Sequence, residues 1–455
     1  METDRIAGSF RDPAGHVFVE QGVVYRQINE AGKDDYDQLT RSGLYDALVA
    51  ARVLIPHDDL GLPADAGPEV YKIIRPTHLP LVNYPYEWCF SQLKDAALLT
   101  LAAQRRALHA GMCLKDASAY NVQFLDGRPI LIDTLSFEGL IPGPWKAYRQ
   151  FCQHFLGPLA LMSAVDVRLG RTLQSFIDGL PLRVVSRSLP RRTWLRPGPL
   201  IHLHLHAWAD EHLGRRGEPG AAANGSRGVK ASLLHSLEAA TTRLRWRPRS
   251  SWVGYYEDRE SYSAEAAEHK ADLVAEWLDA IEPRTVWDLG ANTGRYSRLA
   301  SERGAATIAF DQDVACVETM YLEVKQRGDH NLLPLVMDFT NPSPSLGWAS
   351  EERASLVQRG PAEVALVLAL EHHLAFANNV PLDRLARFLR GIGRHVLVEF
   401  VPSSDPMALR LIRDRRDLFT GYHQDAFEAA FRGVFTLERC ARLRGSERVL
   451  YWMRA

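Results

Sequence analysis

Three aspartates in the second half of the chain stand at or beside the close of short apolar runs, and a turn of small residues follows the first. Asp288 lies in Thr285-Val286-Trp287-Asp288-Leu289, Asp311 ends Ala306 to Phe310, and Asp338 follows Leu333 to Met337. The turn contains Gly290, Asn292 and Gly294 and runs into the helical pattern Arg295 to Ser301. This is strand, glycine-containing loop, helix. Glycines at such a junction let backbone approach a ligand closely, and helix-start amides carry partial positive charge. Carboxylates at strand ends add acceptors for hydroxyl or amine groups.

The Asp288–Gly294 stretch resembles motif I of class I S-adenosylmethionine-dependent methyltransferases, in which an acidic residue opens a D-x-G-x-x-x-G loop around the methionine end of the cofactor. The resemblance covers residues 251 to 455. It implies that Asp288, Gly290, Asn292 and Gly294 surround S-adenosyl-L-methionine, that Asp311 accepts the two ribose hydroxyls, and that Asp338 lies beside the adenine. The loop lacks the second glycine of G-x-G-x-x-G, which weighs against a dinucleotide.

Ligands in open α/β sheets bind outside the carboxyl ends of the strands. Beyond the fourth strand the chain reads Leu370-Glu371-His372-His373-Leu374. Glu371, His372 or His373 there can take the proton from an attacking hydroxyl or amine, and histidine titrates in the useful range. Packing or helix capping are the ordinary uses of such a pair. Together with Asn378-Asn379-Val380-Pro381 and Glu399-Phe400-Val401-Pro402 before Asp405-Pro406-Met407, this half resembles bacterial methyltransferases often labelled nodulation-protein-like. No amide- or base-methylating signature follows the fourth strand. A hydroxyl- or amine-bearing small molecule or glycan is therefore the expected methyl acceptor.

The elements that must hold these groups are five apolar strands alternating with helices, then a terminal hairpin of Phe435 to Cys440 and Arg448 to Met453 around Gly445-Ser446. The pattern predicts an α/β fold, a seven-stranded Rossmann-like sheet covered on both faces. Ahead of it come Trp252 to Tyr256 and Ser261-Tyr262, which could form a lid, and an amphipathic helix from Ala264 to Ile281 whose Lys270 reads as solvated. Glu399 reads as a rim carboxylate.

The first half has its own constellation. His16 to Glu20 and Val23 to Gln27 form a hairpin around Gln21-Gly22; Asp34 to Val53 is helical; Val70 to Ile74 is a strand carrying Lys72; and a long helix spans about Glu87 to His109. Asp116, then Asn121, then a hairpin turning at Asp126-Gly127 and delivering Asp133, resembles the catalytic and metal loops of protein kinases and aminoglycoside phosphotransferases. The resemblance implies an α+β kinase-like domain in which Asp116 orients an acceptor hydroxyl, Asn121 and Asp133 hold magnesium on ATP, and Lys72 binds phosphate. The sequence departs from that family: Leu114 replaces its histidine, Thr134-Leu135 follows Asp133, and no glycine-rich loop precedes Lys72. A nucleotide-binding or substrate-recognition domain, a plain scaffold, and an active or bifunctional phosphotransferase all stay open.

At 455 residues the chain should hold two or three domains: residues 1–165, a helical basic connector over 166–250 with a flexible linker near 214–232, and 251–455. In the connector, arginines between Arg183 and Arg249 far outnumber acids, with Trp194, Trp208 and Trp246 interleaved. Nucleic acid could bind there, giving an RNA-binding methyltransferase. His202, His204 and His206 alternate with leucines; a structural role is the expectation, a zinc site the alternative. Net charge is −1, and the five scattered cysteines lack C-x-x-C spacing, which points to a reducing, cytoplasmic setting. No signal peptide or membrane span is expected.

Overall fold

The computed structural model describes residues 4–63, 66–212, 227–250, 264–412 and 420–455. Trp252 to Tyr256 and Ser261-Tyr262 lie outside the described residues, as does most of the expected linker; the part from Arg227 onward is helix, Arg227–Arg243.

The chain divides into two units, residues 1–247 with 346–353, and residues 248–345 with 354–455. Residues 166–247 thus belong to the first unit and do not stand apart as a connector. Helix Arg227–Arg243 packs on helix Phe90–His109, and Arg105 pairs with Glu238 across them at 2.8 Å.

The first unit carries a five-stranded sheet in the order β1-β2-β3-β5-β4, with β1 Asp4–Arg5, β2 Gly15–Glu20, β3 Val23–Asn29, β4 His57–Gly61 and β5 Val70–Pro76. Every pairing is antiparallel. The β2–β3 hairpin turns at Gln21 and Gly22, both with positive φ, as a two-residue turn requires. Helix Phe90–His109 starts later than the sequence suggests, because Pro85–Glu87 forms a separate 3-10 turn closed by the Glu87 carboxylate accepting from the Tyr84 amide. Its buried positions, Phe90, Leu93, Ala97, Leu101, Gln104 and Leu108, recur at three- and four-residue spacing. The strand β6 Met112–Leu114 and the hairpin β7 Val122–Leu125 with β8 Arg128–Leu131 follow, then β9 Phe137–Gly139, which pairs with β6.

The second unit is built on a seven-stranded sheet in the order β12-β11-β10-β13-β14-β16-β15. Its strands are β10 Thr285–Leu289, β11 Ala306–Asp311, β12 Leu332–Val336, β13 Ala362–Val367, β14 Gly393–Phe400, β15 Thr436–Arg442 and β16 Val449–Arg454. The first five are parallel and nearly all apolar, as strands buried on both faces must be; β16 and β15 pair antiparallel at one edge. One face packs Val274, Trp277 and Leu278 of helix Ala264–Ile281 against Val286, Val364, Leu397 and Trp452. The other packs Met320 and Val324 of helix Val314–Arg327 against Ala309 and Leu332. The order reverses between β10 and β13, so the strand ends diverge there and leave a crevice at their carboxyl edge.

Candidate functional site

That crevice is lined by Asp288, Gly290, Asn292, Asp311, Asp313, Asp338, Phe339, His373 and Asn378, among others. Of the six residues expected to bind cofactor, five line it. Gly294 does not: at φ +82 it begins helix Arg295–Ser301, and a Cβ there would stand 2.7 Å from Met320 Sδ. It shapes the loop from beneath.

The loop does not offer the free amides that its sequence suggests. The Gly290 and Ala291 amides both donate to the Phe310 carbonyl at 2.9 Å, and Gly294 to the Ala291 carbonyl at 2.8 Å. Asn292 N donates to Asp311 Oδ2 at 2.7 Å, and Thr293 N to Asn292 Oδ1 at 2.8 Å. Loop amides are thus spent on holding the loop, and carboxylates dominate the polar lining. An anionic pyrophosphate is a poor match for that lining; a ligand with cationic centres and hydroxyls matches it. Gly290, at φ +77, leaves the gap beside Leu370 that a Cβ would fill, at 3.4 Å. Backbone and ligand can therefore approach there.

Burial sets the electrostatics. Asp288 is buried and accepts from Ser297 Oγ at 2.6 Å, yet desolvation pushes its carboxyl up to about 6. Asp311 is likewise pushed up to about 6 by burial, against the pull of the Asp313 and Asn292 amides. Asp338 accepts from Thr340 N at 2.9 Å and its hydroxyl at 2.6 Å. Phe339 beside it meets Phe310 and Phe388 edge-on.

The three candidates beyond β13 separate. Glu371, in helix Glu371–Asn378, turns into the core: Oε1 accepts from Val401 N at 2.9 Å and Tyr422 OH at 2.5 Å, and burial pushes the carboxyl up to about 8. His372 is buried too, with Nδ1 unbonded among the described residues and its protonation strongly disfavoured by burial. Neither lines the crevice, because adjacent helical residues diverge by about 100°. His373 does line it, and burial followed by the Arg448 charge lowers its pKa.

Two residues read differently from the sequence turn out to be central. Lys270 is not solvated: its ammonium is buried on the crevice wall, 2.5 Å from Glu399 Oε2 and 4.7 Å from the Tyr296 ring centre. Glu399 is correspondingly a core group and no rim carboxylate. Lys270 falls on the inner stripe of its helix with Val274 and Trp277, which the helical period makes visible once that stripe is followed.

In the first unit, Asp116, Asn121 and Asp133 do converge: Asp116 is hydrogen-bonded by Asn121, and Asn121 Nδ2 and Asp133 Oδ2 both bond the Ser136 hydroxyl, at 3.1 and 2.7 Å. Burial raises the pKa of Asp116. Lys72 is elsewhere. It pairs with Asp59 on the neighbouring edge strand at 2.6 Å, and the cation on Asp133 is Arg26 of β3, at 2.6 Å. Arg26 therefore neutralises Asp133, while Asp116 is held by hydrogen bonds from Ser118, Asn121 and Gln150. Removing Arg26 (Arg26→Ala) should cost about 1–3 kcal/mol by leaving a mostly buried Asp133 without its charged partner, measured by urea unfolding. Were the cluster a magnesium–nucleotide site instead, Mg-ATP would raise the wild-type melting temperature, and Asp133→Ala would remove the rise.

His202, His204 and His206 lie on a helical run, Leu200–Leu205 in π geometry continuing as His206–His212. His202 bonds Tyr148 OH and Ser236 Oγ, each at 2.8 Å, and His204 bonds Ser186 and Thr193 hydroxyls at 2.8 Å. His202 and His204 are packed, hydroxyl-bonded rings, and His206 stacks on the Tyr148 ring at 4.8 Å. Among the described residues no group of three or more His, Cys, Asp or Glu is placed to hold a metal ion.

Searched against family models, the chain matches none. Against characterised proteins it is 33% identical over 463 residues to nodulation protein NoeA of Rhizobium meliloti (strain 1021), covering 98% of this chain and 95% of that one. The chain belongs to the NoeA family. Solved structures similar to this NoeA-family chain include the magnesium protoporphyrin IX methyltransferase ChlM from Synechocystis PCC 6803 with bound SAH, at 18% identity, 42% of this chain, 84% of that one and TM-score 0.29. Monomeric WbdD is similar at 15% identity, 46% of each chain and TM-score 0.31. Among the described residues, no helix is long and apolar enough to cross a membrane.

Proposed function

We propose that the second unit binds S-adenosyl-L-methionine and transfers its methyl group to a hydroxyl- or amine-bearing small molecule or glycan. The observation that carries this reading is the crevice itself: Asp288, Asp311, Asp313 and Asp338 line one pocket at the strand ends, with the loop amides already consumed. The cofactor supplies an electrophilic methyl on a sulfonium. Asp288 would hold its cationic methionine end, Asp311 the ribose hydroxyls, and Asp338 with Phe339 the adenine. His373, held neutral by burial, accepts the proton that the acceptor loses on attack.

Isothermal titration of the full chain with S-adenosylhomocysteine tests the reading. Binding in the micromolar range is expected, and Asp311→Ala should weaken it by about 1.5–3 kcal/mol through loss of a charge-assisted contact. No heat from folded protein at high micromolar ligand sinks the proposal. In an untargeted methylation screen, His373→Ala should retain cofactor binding while losing turnover of any acceptor found.

A further inference from the structure

The arginine-rich part of the first unit presents a second surface that the methyl-transfer reading does not use. Along the run Leu200–His212 the inner face is buried, with His202, Leu203, His206 and Ala207 packed inside. The outer face carries Ile201, Leu205 and Trp208, at i, i+4 and i+7, each about half exposed. Trp194 lies flat over His204, ring centres 4.3 Å apart and planes at 12°, and so joins that stripe while covering the imidazole. Next to it Leu195 is 87% exposed, more than any other large apolar side chain among the described residues. Soluble monomers seldom leave such side chains contiguous.

The charges around the stripe are predominantly positive. Arg183, Arg187, Arg191, Arg192 and Arg196 are all exposed. The acids of the same stretch are Asp210, bound to Arg149 at 2.5 Å, and Glu211, 3.1 Å from Arg183. We infer that this face docks on a bilayer carrying anionic phospholipid, with Trp194, Leu195, Ile201, Leu205 and Trp208 entering the headgroup–acyl boundary and the arginines on the phosphates. Tryptophan and arginine, each part apolar and part polar, suit that depth. A short apolar stripe with a basic surround is the composition of a segment that lies in the interface and does not span. Nucleic acid would use the same arginines, but it gives three exposed aliphatic side chains nothing to bury against, since bases stack on aromatic rings.

The test is co-sedimentation of the full chain with vesicles of phosphatidylcholine alone and of phosphatidylcholine with a quarter phosphatidylglycerol. Anionic vesicles should carry the protein down at least about tenfold better than neutral ones, and less so as salt rises. Leu195→Glu, at a position too exposed to disturb folding, should lower partitioning into anionic vesicles about tenfold, as should Arg191→Glu with Arg196→Glu; circular dichroism checks that each variant is folded. The proposal is overturned if wild-type protein stays in the supernatant with anionic vesicles, or if Leu195→Glu sediments like wild type. Tight binding of an RNA or DNA oligonucleotide that needs Arg191 and Arg196, with indifference to vesicles, assigns the face to nucleic acid instead.

Discussion

Replacing Glu399 with alanine should lower the unfolding free energy of the second unit by about 3–5 kcal/mol, the cost of leaving buried charges unpaired. Glu399 has no solvent exposure and sits between two cations that are almost as deeply buried. Lys270 Nζ is 2.5 Å from Oε2 on one side, and Arg448 Nη1 is 3.5 Å from Oε1 on the other. Arg448 has a further carboxylate in Asp405, at 2.8 Å, which also caps helix Pro406–Leu411 by accepting from Met407 N. Lys270 also meets the Tyr296 ring and its charge acts on Asp288. Glu399→Gln should be nearly as damaging, since an amide keeps the volume but not the charge. Pairing Glu399→Met with Lys270→Met should recover part of the loss, as apolar replacement of both partners often does. Urea unfolding followed by tryptophan fluorescence measures this, with Trp277 and Trp452 packed in the same core. A loss below about 1 kcal/mol for the alanine variant would show that water reaches the triad.

The parts of the molecule legible in the sequence are those that repeat a period. Buried parallel strands are unbroken apolar runs, so β10, β11, β13 and β14 and the terminal hairpin stand where hydrophobicity and turn residues put them. The carboxyl-edge rule then places Asp288, Asp311, Asp338 and His373 in one crevice. What a linear pattern does not carry is the partner of each group. Lys270 and Lys72 look alike as single lysines; one is buried by Glu399, 129 positions away, and the other pairs with an aspartate across an edge strand. Arg26 neutralises Asp133 from a hairpin, and nothing near it in sequence announces a carboxylate so far along the chain. Glu371 and His372 shared a motif with His373, and only the helix rotation separates them. The free amides inferred for the glycine loop failed for a similar reason: their acceptors are on β11, outside the loop.

On the proposed reading, the two carboxyls pushed up to about 6, Asp288 and Asp311, should make cofactor affinity and stability move in opposite directions with pH. If both must be ionised to meet the cofactor's cationic and hydroxyl groups, each is nearly fully ionised at about pH 7.5 and only about one-tenth ionised at about pH 5. Affinity for S-adenosylmethionine should then fall by between tenfold and about a hundredfold over that interval, the larger figure applying if both protonations oppose binding. Stability runs the other way. A carboxyl whose folded pKa is raised above its unfolded value of about 4 binds protons more tightly when folded, so between about pH 4 and about pH 6 its contribution to stability decreases as pH rises, and above that it is a constant penalty. These two groups therefore favour the ligand-free fold near pH 5 by roughly 1–3 kcal/mol relative to neutral pH. Titration calorimetry and thermal unfolding across the same buffers separate the effects: weaker binding with an undiminished ligand-free melting temperature supports buried, functional carboxyls. Asp311→Asn should flatten its share of the binding profile, which makes the assignment specific. If affinity is level from neutral to acid pH while Asp311→Asn still impairs binding, the aspartate acts through the loop, by holding the Asn292 and Asp313 amides, and its charge is not what the ligand meets.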